Sequence, residues 1–180
     1  MRPLLILDLD ETLIHGAEME LGRSADFQVG PFHIYRRPHL ADFLASVSQW
    51  YELAIWSSAS DDYVCEIAAT LAQCGIQWSF VWSRDRCVQR MNPEAFETVF
   101  FKDLKKVVRL GYHLNRVLIV DDMPEKLSRN YGNAIYVSRF EGEETDNELP
   151  QLAAFLHALN DAPNFRTIEK RGWRTRSSAR

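Results

Sequence analysis

The sequence predicts an α/β fold: a central parallel sheet with helices on both faces. Short apolar runs alternate with segments of helical periodicity along the 180-residue chain. Strands separated by helices pair in parallel, because the crossover between them is right-handed. Several of the apolar runs end in carboxylates or hydroxyls, and the carboxyl ends of parallel strands share one edge of the sheet. We therefore expect a ligand site at that edge.

The first strand is expected at Leu4–Asp8, within the run Leu5-Ile6-Leu7-Asp8-Leu9-Asp10-Glu11-Thr12-Leu13. Its apolar residues are uninterrupted, as in a strand buried on both faces. Asp8 and Asp10 would point to the same side and repel each other. A cation between them would remove the repulsion, and Mg²⁺ prefers carboxylate and carbonyl oxygens. Taken alone, the pair would favour an Asx turn with solvated acids, so the metal interpretation depends on what the rest of the chain supplies.

The rest of the chain continues the alternation of strands and helices. Further strands are predicted at Phe32–Tyr35, Leu53–Trp56, Phe80–Trp82, Arg116–Val120 and Ala134–Val137. Helices are predicted to begin at Pro38, Ser60, Lys102, Pro124 and Glu148. Residues 14–31 predict a loop or small hairpin, and residues 84–101 show no clear period.

Length and composition predict one domain over residues 1–160 and a basic, flexible tail over 161–180. Hydrophobic residues at 46% and charged residues at 26% are typical of a soluble globular protein. The net charge of −4 gives no indication of nucleic-acid binding. Without a visible signal peptide or membrane span, a cytoplasmic location is expected, or a nuclear one in a eukaryote. Cys65, Cys74 and Cys87 are expected to be buried free thiols.

Acids, a hydroxyl and a lysine on separate elements are what phosphoryl transfer needs. A phosphate monoester dianion repels a carboxylate nucleophile until Mg²⁺ and a lysine neutralise its charge. Asp8 would attack phosphorus, and Asp10 would protonate the leaving oxygen. Thr12 is expected to orient Asp10 or its loop, and Ser57 to donate a hydrogen bond to the phosphoryl group. Lys102 would supply positive charge. Asp121 and Asp122 would bind the metal.

The sequence resembles the haloacid dehalogenase (HAD) superfamily of phosphatases. Within it, the chain is similar to the branch of small C-terminal-domain phosphatases and NLI-interacting-factor-like proteins. The resemblance extends from residue 3 to about residue 160. The motifs that carry it are Asp8-Leu9-Asp10-Glu11-Thr12-Leu13, Arg36-Arg37-Pro38-His39-Leu40, Ile55-Trp56-Ser57-Ser58-Ala59-Ser60, Lys102-Asp103-Leu104 and Val120-Asp121-Asp122-Met123-Pro124.

This resemblance implies a HAD-like Rossmannoid fold, Mg²⁺ as cofactor and an aspartyl-phosphate intermediate. It makes Asp8 the nucleophile and Asp10 the acid/base. The implied metal ligands are Asp8, Asp10 (through its carbonyl), Asp121 and Asp122; that branch carries Asp-Asn at the last two positions. The implied substrate-binding residues are Ser57 (where a threonine is usual), Ser58, Arg84 and Lys102.

The segments that could hold a cap domain are short. The intervals Leu13–Pro38 and Trp82–Lys102 cannot contain a full cap, so the fold should be capless or carry only a small hairpin. An open site favours a phosphorylated protein or peptide as partner, and the resemblance points to phosphoserine or phosphothreonine. No nucleic-acid or membrane partner is expected. Two alternatives are a capless phosphatase for a small metabolite or nucleotide, and a non-catalytic HAD-fold binding module.

Overall fold

The protein forms the predicted α/β fold in a computed structural model, which describes residues 2–73, 75–92 and 97–177. The strands are β1 (Leu4–Leu7), β2 (Ile14–Ala17), β3 (Phe27–Val29), β4 (Phe32–Arg36), β5 (Glu52–Trp56), β6 (Trp78–Trp82), β7 (Val88–Asn92), β8 (Glu97–Phe101), β9 (Val117–Asp121) and β10 (Ala134–Tyr136). The helices are α1 (Leu40–Trp50), α2 (Asp61–Ala72), α3 (Lys105–Val108), α4 (Glu148–Leu159) and α5 (Trp173–Ser177). Short 3-10 turns cover Arg84–Arg86, Leu114–Arg116, Pro124–Leu127 and Phe165–Thr167.

The central sheet has five parallel strands in the order β10-β9-β1-β5-β6. In its register, Leu7 at the end of β1 lies beside Ile55 on one side and Val120 on the other. The three central strands therefore end at nearly the same level. This register places Asp8, Ser57 and Asp121 next to one another at the carboxyl edge.

The two faces of the sheet bury alternate residues of β1. Leu5 and Leu7 belong to a core cluster that includes the apolar sides of α1, α2 and α4. Leu4 and Ile6 belong to a second cluster with Leu104 and with Val107 of α3. Because both faces are covered, all four residues of β1 are fully buried. The continuous apolar sequence of this strand follows directly from its central place.

Both insertions are small sheets. Residues 14–31, expected to be a loop or hairpin, contribute β2 and β3 to a three-stranded antiparallel sheet with β4. Residues 88–101, for which no regular element was predicted, contain the antiparallel β7–β8 pair. The helix predicted to begin at Lys102 begins only at Lys105, whose backbone N–H donates to the Asp103 carboxylate (3.0 Å). Lys102 lies before this helix, and its side chain reaches the sheet edge.

The flexible tail predicted for residues 161–180 is not found over its described part, residues 161–177. Phe165 and Trp173 are 0% and 1% exposed and belong to the main core cluster. The Trp173 indole N–H donates to the Tyr136 carbonyl (2.9 Å), and Lys170 Nζ donates to the Phe165 carbonyl (2.6 Å). The basic composition suggested solvation, but two large aromatic side chains anchor the segment.

Arg37 joins the loop after β1 to the start of α4. Its guanidinium donates two 2.8 Å hydrogen bonds to the Asp146 carboxylate and one of 3.0 Å to the Thr12 carbonyl. Arg37 is 1% exposed and Asp146 is half-buried, so the guanidinium of this bidentate pair is shielded from solvent. It fixes the loop that carries the second acid of the DxD pair.

The cysteine prediction is only partly correct. Cys87 is buried, as expected, but Cys65 is exposed on α2, and Cys74 lies outside the described residues.

Among the helices of the described ranges, none has both the length and the apolar character needed to cross a membrane.

Candidate active site

Asp8 lies at the centre of the sheet edge, directly after β1. Its backbone N–H donates to the Val120 carbonyl (3.0 Å), which continues the parallel pairing by one residue. Its carboxylate is 1% exposed and contacts two ammonium groups: Lys102 Nζ lies 2.9 Å from Oδ1, and Lys126 Nζ lies 3.3 Å from Oδ2. A carboxylate buried this deeply requires such compensation of its charge.

Lys102 connects Asp8 to Asp121. Its Nζ lies 2.6 Å from Asp121 Oδ2, and its side chain has no exposed surface. Burial acts to lower the pKa of Lys102, but the charges of Asp121 and Asp8 outweigh it and raise the pKa. The lysine is therefore held in its charged form between two strand ends.

Asp10 is held by a residue that the sequence analysis did not identify. The Tyr63 hydroxyl, on α2, donates to Asp10 Oδ1 (2.7 Å), and the Ser57 hydroxyl lies 3.5 Å from Oδ2. Thr12 was expected to orient Asp10 or its loop. Its hydroxyl is buried and has no hydrogen-bond partner within the described ranges, although its carbonyl accepts from Arg37. Orientation of the Asp10 carboxylate thus comes from Tyr63.

The loop after β5 places Ser57 beside Asp10. Ser57 is 1% exposed, and its hydroxyl accepts a hydrogen bond from the Ala59 N–H (3.0 Å). Ser58 is half-buried, and its carbonyl accepts from Arg84 Nε (2.8 Å). Arg84 is exposed, and its guanidinium lies 5.0 Å from the centre of the Phe100 ring. Ser58 and Arg84, two of the four residues expected to bind substrate, are therefore joined to each other and are more exposed than Ser57.

The pKa values of the DxD pair are shifted in opposite directions. For Asp8, burial acts to raise the pKa, but the charges of Lys102 and Lys126 outweigh it and hold the pKa below its ordinary value. For Asp10, burial raises the pKa against the opposing hydrogen bond from Tyr63. Two carboxylates with pKa values driven apart suit different roles, one permanently ionised and one able to exchange a proton.

Asp8, Asp121 and Asp122 form a cluster that fits a metal ion. One carboxylate oxygen of each lies within 4.8 Å of the others. Burial and the charge of Asp8 raise the pKa of Asp121 to about 7, and burial raises that of Asp122. Asp122 Oδ1 is buried and has no hydrogen-bond partner among the residues that the structure describes.

The charge balance of the site also fits a divalent cation. When all groups are ionised, four carboxylates face the ammonium groups of Lys102 and Lys126, which leaves two negative charges in excess. The carboxylates are those of Asp8, Asp10, Asp121 and Asp122. Oxygen ligands with excess negative charge are those that Mg²⁺ binds. The Asp10 carboxylate oxygens face Tyr63 and Ser57, and ligation through the Asp10 carbonyl stays a prediction.

Two residues of the site, Tyr63 and Lys126, were not identified from the sequence. Tyr63 lies in the first turn of α2, and Lys126 lies in the 3-10 turn after Asp121-Asp122. The position of each, shortly after a strand end that carries site residues, is a signal that could have indicated them. Periodicity alone does not indicate a site role for either, because Tyr63 continues the apolar side of α2 and Lys126 lies on a short turn.

A family model described as NLI interacting factor-like phosphatase matches residues 3–166. The chain belongs to this family. The resemblance inferred from the motifs is thereby confirmed, and the family match covers every site residue described above.

Individual relatives agree with this membership. Nuclear envelope morphology protein 1 of Schizosaccharomyces pombe is 30% identical over 176 residues, which cover 93% of this chain and 35% of that protein. Human CTD small phosphatase-like protein is 31% identical over 165 residues, which cover 87% of this chain and 55% of that protein. The chain therefore spans between a third and somewhat over half of these relatives' lengths.

Solved structures confirm the fold. The fission yeast RNA polymerase II CTD phosphatase Fcp1, bound to beryllium fluoride, superposes with a TM-score of 0.58 and 25% identity. The superposition covers 90% of this chain and 50% of that one. An uncharacterized protein from Listeria monocytogenes, at 18% identity and a TM-score of 0.57, shares the fold.

Proposed function

We propose that this protein is a Mg²⁺-dependent phosphomonoester hydrolase that forms an aspartyl-phosphate on Asp8. The observation that carries the proposal is the pairing of two unlike carboxylates at one sheet edge. Asp8 is buried, ionised and in contact with Lys102 and Lys126, whereas Asp10 has a raised pKa and a hydrogen bond from Tyr63. This arrangement supplies a nucleophile and a proton donor a few ångströms apart.

The first chemical step transfers the phosphoryl group to Asp8. A carboxylate oxygen of Asp8 forms a bond to phosphorus while the bond between phosphorus and the leaving oxygen breaks. Asp10 gives its proton to that leaving oxygen, so the alcohol departs neutral. Lys102 and the Ser57 hydroxyl bind phosphoryl oxygens and reduce the repulsion between the dianion and the carboxylate.

The second step hydrolyses the aspartyl-phosphate. A water molecule gives a proton to the Asp10 carboxylate and attacks phosphorus, and the bond from phosphorus to Asp8 breaks. Inorganic phosphate leaves, and Asp10 is protonated again for the next cycle. Tyr63 keeps Asp10 in one orientation through both proton transfers.

Asp8, Asp121 and Asp122 would hold Mg²⁺, with Asp10 offering its carbonyl. When bound, the ion supplies positive charge that offsets the negative charge of the phosphoryl group. The excess negative charge of the site and the unpartnered Asp122 Oδ1 support this assignment.

For the substrate, we propose phosphoserine or phosphothreonine in a protein or peptide. Both insertions are small antiparallel sheets, so a phosphorylated side chain on a loop could approach the edge. The relatives named as CTD phosphatases support this class. Specificity for the RNA polymerase II tail is not part of the proposal.

The mechanism is tested by the hydrolysis of p-nitrophenyl phosphate. We expect turnover to require Mg²⁺, to stop with EDTA, and to fall at least about 10⁴-fold in Asp8→Asn. Asp42→Asn, a matched change at an exposed position of α1, should leave it unaltered. Turnover by Asp8→Asn comparable to that of the wild type would exclude the covalent mechanism, and an inactive wild type would favour the binding module.

The substrate class is tested by comparing kcat/KM across two panels. One contains phosphoserine, phosphothreonine and phosphotyrosine peptides, and the other contains sugar and nucleotide phosphates. We expect the first two kinds of peptide to be preferred. Faster hydrolysis of a metabolite phosphate would replace the protein-phosphatase assignment with the metabolite alternative.

For the location, we propose the cytoplasm on sequence grounds, and the relatives named for the nuclear envelope make that membrane the alternative. Fractionation of cells that express the tagged chain, with markers for cytoplasm and nuclear envelope, decides between the two. Recovery with the nuclear-envelope marker would contradict the cytoplasmic location.

A further inference from the structure

Lys126 brings a second ammonium group to Asp8. Its Nζ lies 3.3 Å from Oδ2, the carboxylate oxygen opposite the one that contacts Lys102. Burial acts to lower the pKa of Lys126, but the charges of Asp8, Asp121 and Asp122 outweigh it and raise the pKa. The three carboxylates that attract this ammonium are the same three that could ligate a metal.

The Lys126 ammonium and a divalent cation would compete for the same negative charge. Mg²⁺ binds carboxylate oxygens at about 2.1 Å and demands near-octahedral geometry. Carboxylate oxygens within 4.8 Å of one another leave room for one cation between them. The charge of a nearby ammonium would also repel the ion strongly in a buried site.

The two lysines differ in their freedom to move. Lys102 has no exposed surface and contacts two acids, at 2.9 Å and 2.6 Å. Lys126 is 14% exposed, contacts Asp8 at the longer distance of 3.3 Å, and lies on a short 3-10 turn next to exposed residues. Lys126 is therefore the cation that can leave the cluster.

We propose that Lys126 is an internal competitor of the divalent cation. Its ammonium neutralises Asp8, Asp121 and Asp122 when no metal is bound, and it withdraws toward solvent when the metal enters. The inference rests on the proposed function in one respect, that this cluster binds Mg²⁺. If Lys126 competes in this way, the affinity for Mg²⁺ is lower than the carboxylates alone would give. The same contact stabilises the protein when no metal is bound.

The test is a Mg²⁺ titration of the EDTA-treated full chain by isothermal calorimetry, without any phosphate compound. We expect Lys126→Met to lower the Kd for Mg²⁺ at least about tenfold, because one opposing charge is removed. Its Tm without metal should fall by about 2–4 °C, and Mg²⁺ should raise its Tm more than that of the wild type. Lys126→Gln also removes the charge but keeps a polar group beside Asp8, so it should lower the Kd for Mg²⁺ as well. It replaces Lys126→Met in the titration if that variant folds poorly.

Two controls separate charge from side-chain volume. Lys126→Arg keeps the charge and should keep a Kd near that of the wild type. Lys105→Met makes the same chemical change at an exposed position of α3 and should leave the Kd unaltered.

Equal or weaker Mg²⁺ binding by Lys126→Met and Lys126→Gln, beside normal binding by the wild type, would overturn the inference alone. A wild type that shows no Mg²⁺ binding in the titration, and no Mg²⁺-dependent turnover, would overturn the metal assignment under the proposed function as well.

Discussion

Two buried groups of acidic and basic side chains differ in charge balance. Arg37 and Asp146 form a one-to-one pair with two 2.8 Å hydrogen bonds. Burial acts to raise the pKa of Asp146, but the hydrogen bonds from Arg37 and the Glu148 N–H outweigh it and lower the pKa. At the sheet edge, by contrast, the carboxylates outnumber the lysines, and the pKa values of Asp121 and Asp122 are raised.

The difference indicates which group stabilises the fold and which one binds a ligand. In the balanced pair, folding favours the ionised carboxylate, so the pair contributes to stability at neutral pH. At the sheet edge, folding disfavours ionisation of Asp121 and Asp122, so their charges cost stability that the nearby lysines offset only in part. A buried cluster with excess charge of one sign is therefore a candidate site, and a matched pair is a structural contact.

The largest expected effect is on the balanced pair. Arg37→Met should lower the free energy of unfolding by about 3–5 kcal/mol, because it leaves the Asp146 carboxylate and the Thr12 carbonyl without their donor. Urea unfolding measures this loss. Arg139→Met is the control, since the Arg139 side chain is 58% exposed and should cost less than about 1 kcal/mol. Equal losses in the two variants would mean that burial of the Arg37 pair contributes nothing.

The same Asp→Asn change should have opposite effects in the two groups. Asp146→Asn should lower the free energy of unfolding by about 2–3 kcal/mol, because Arg37 stays buried without its counter-charge. Asp122→Asn should leave it unchanged or raise it slightly, since a disfavoured charge is removed. Both are measured by urea unfolding at pH 7 in EDTA. A loss of unfolding free energy in Asp122→Asn as large as that in Asp146→Asn would show that the Asp122 charge does not cost stability.

Tyr63→Phe should lower kcat about 10–100-fold with little change in KM, as for other residues that orient a functional group. The hydrogen bond from Tyr63 lowers the pKa of Asp10, so its loss should move the limb of the pH–rate profile that reports Asp10 to higher pH. Steady-state kinetics across pH measures both. Tyr131→Phe, at an 81% exposed position, is the control. A lower kcat with an unmoved profile would show that Tyr63 only supports packing.

The smallest expected effect is on the pH dependence of stability. The folded pKa of Asp146 lies below its ordinary value of 3.8. The stability that this group contributes is complete above that value and is lost as the pH falls through the folded pKa. The difference in unfolding free energy between the wild type and Asp146→Asn should therefore shrink as the pH falls from 5 to 3. A constant or growing difference in urea unfolding would contradict the lowered pKa.

Much of the fold could be predicted because its signals are local. An uninterrupted apolar run such as Leu4–Leu7 indicates a strand covered on both faces, and helical spacing indicated α1, α2 and α4. The β7–β8 pair could not be predicted, because its residues alternate too weakly between apolar and polar. The C-terminal segment was predicted wrongly, since its basic composition concealed the two aromatic anchors, Phe165 and Trp173.

The candidate site was predictable where it depends on strand ends. Asp8, Ser57 and Asp121 follow central strands whose register places them side by side. Tyr63 and Lys126 follow strand ends that carry site residues, but their contacts with Asp10 and Asp8 could not be predicted, because the orientation of the helix or turn that carries each is set by packing elsewhere.

The sequence by itself determined that Asp8, Ser57 and Asp121 meet at one place, since a parallel sheet brings the carboxyl ends of its strands to one edge. Only the tertiary structure decided the charge balance. Ionic interactions depend on the distances between atoms, and the residues concerned are far apart in the chain. Folding brings Arg37 to Asp146, and it brings two lysines to four carboxylates at the sheet edge.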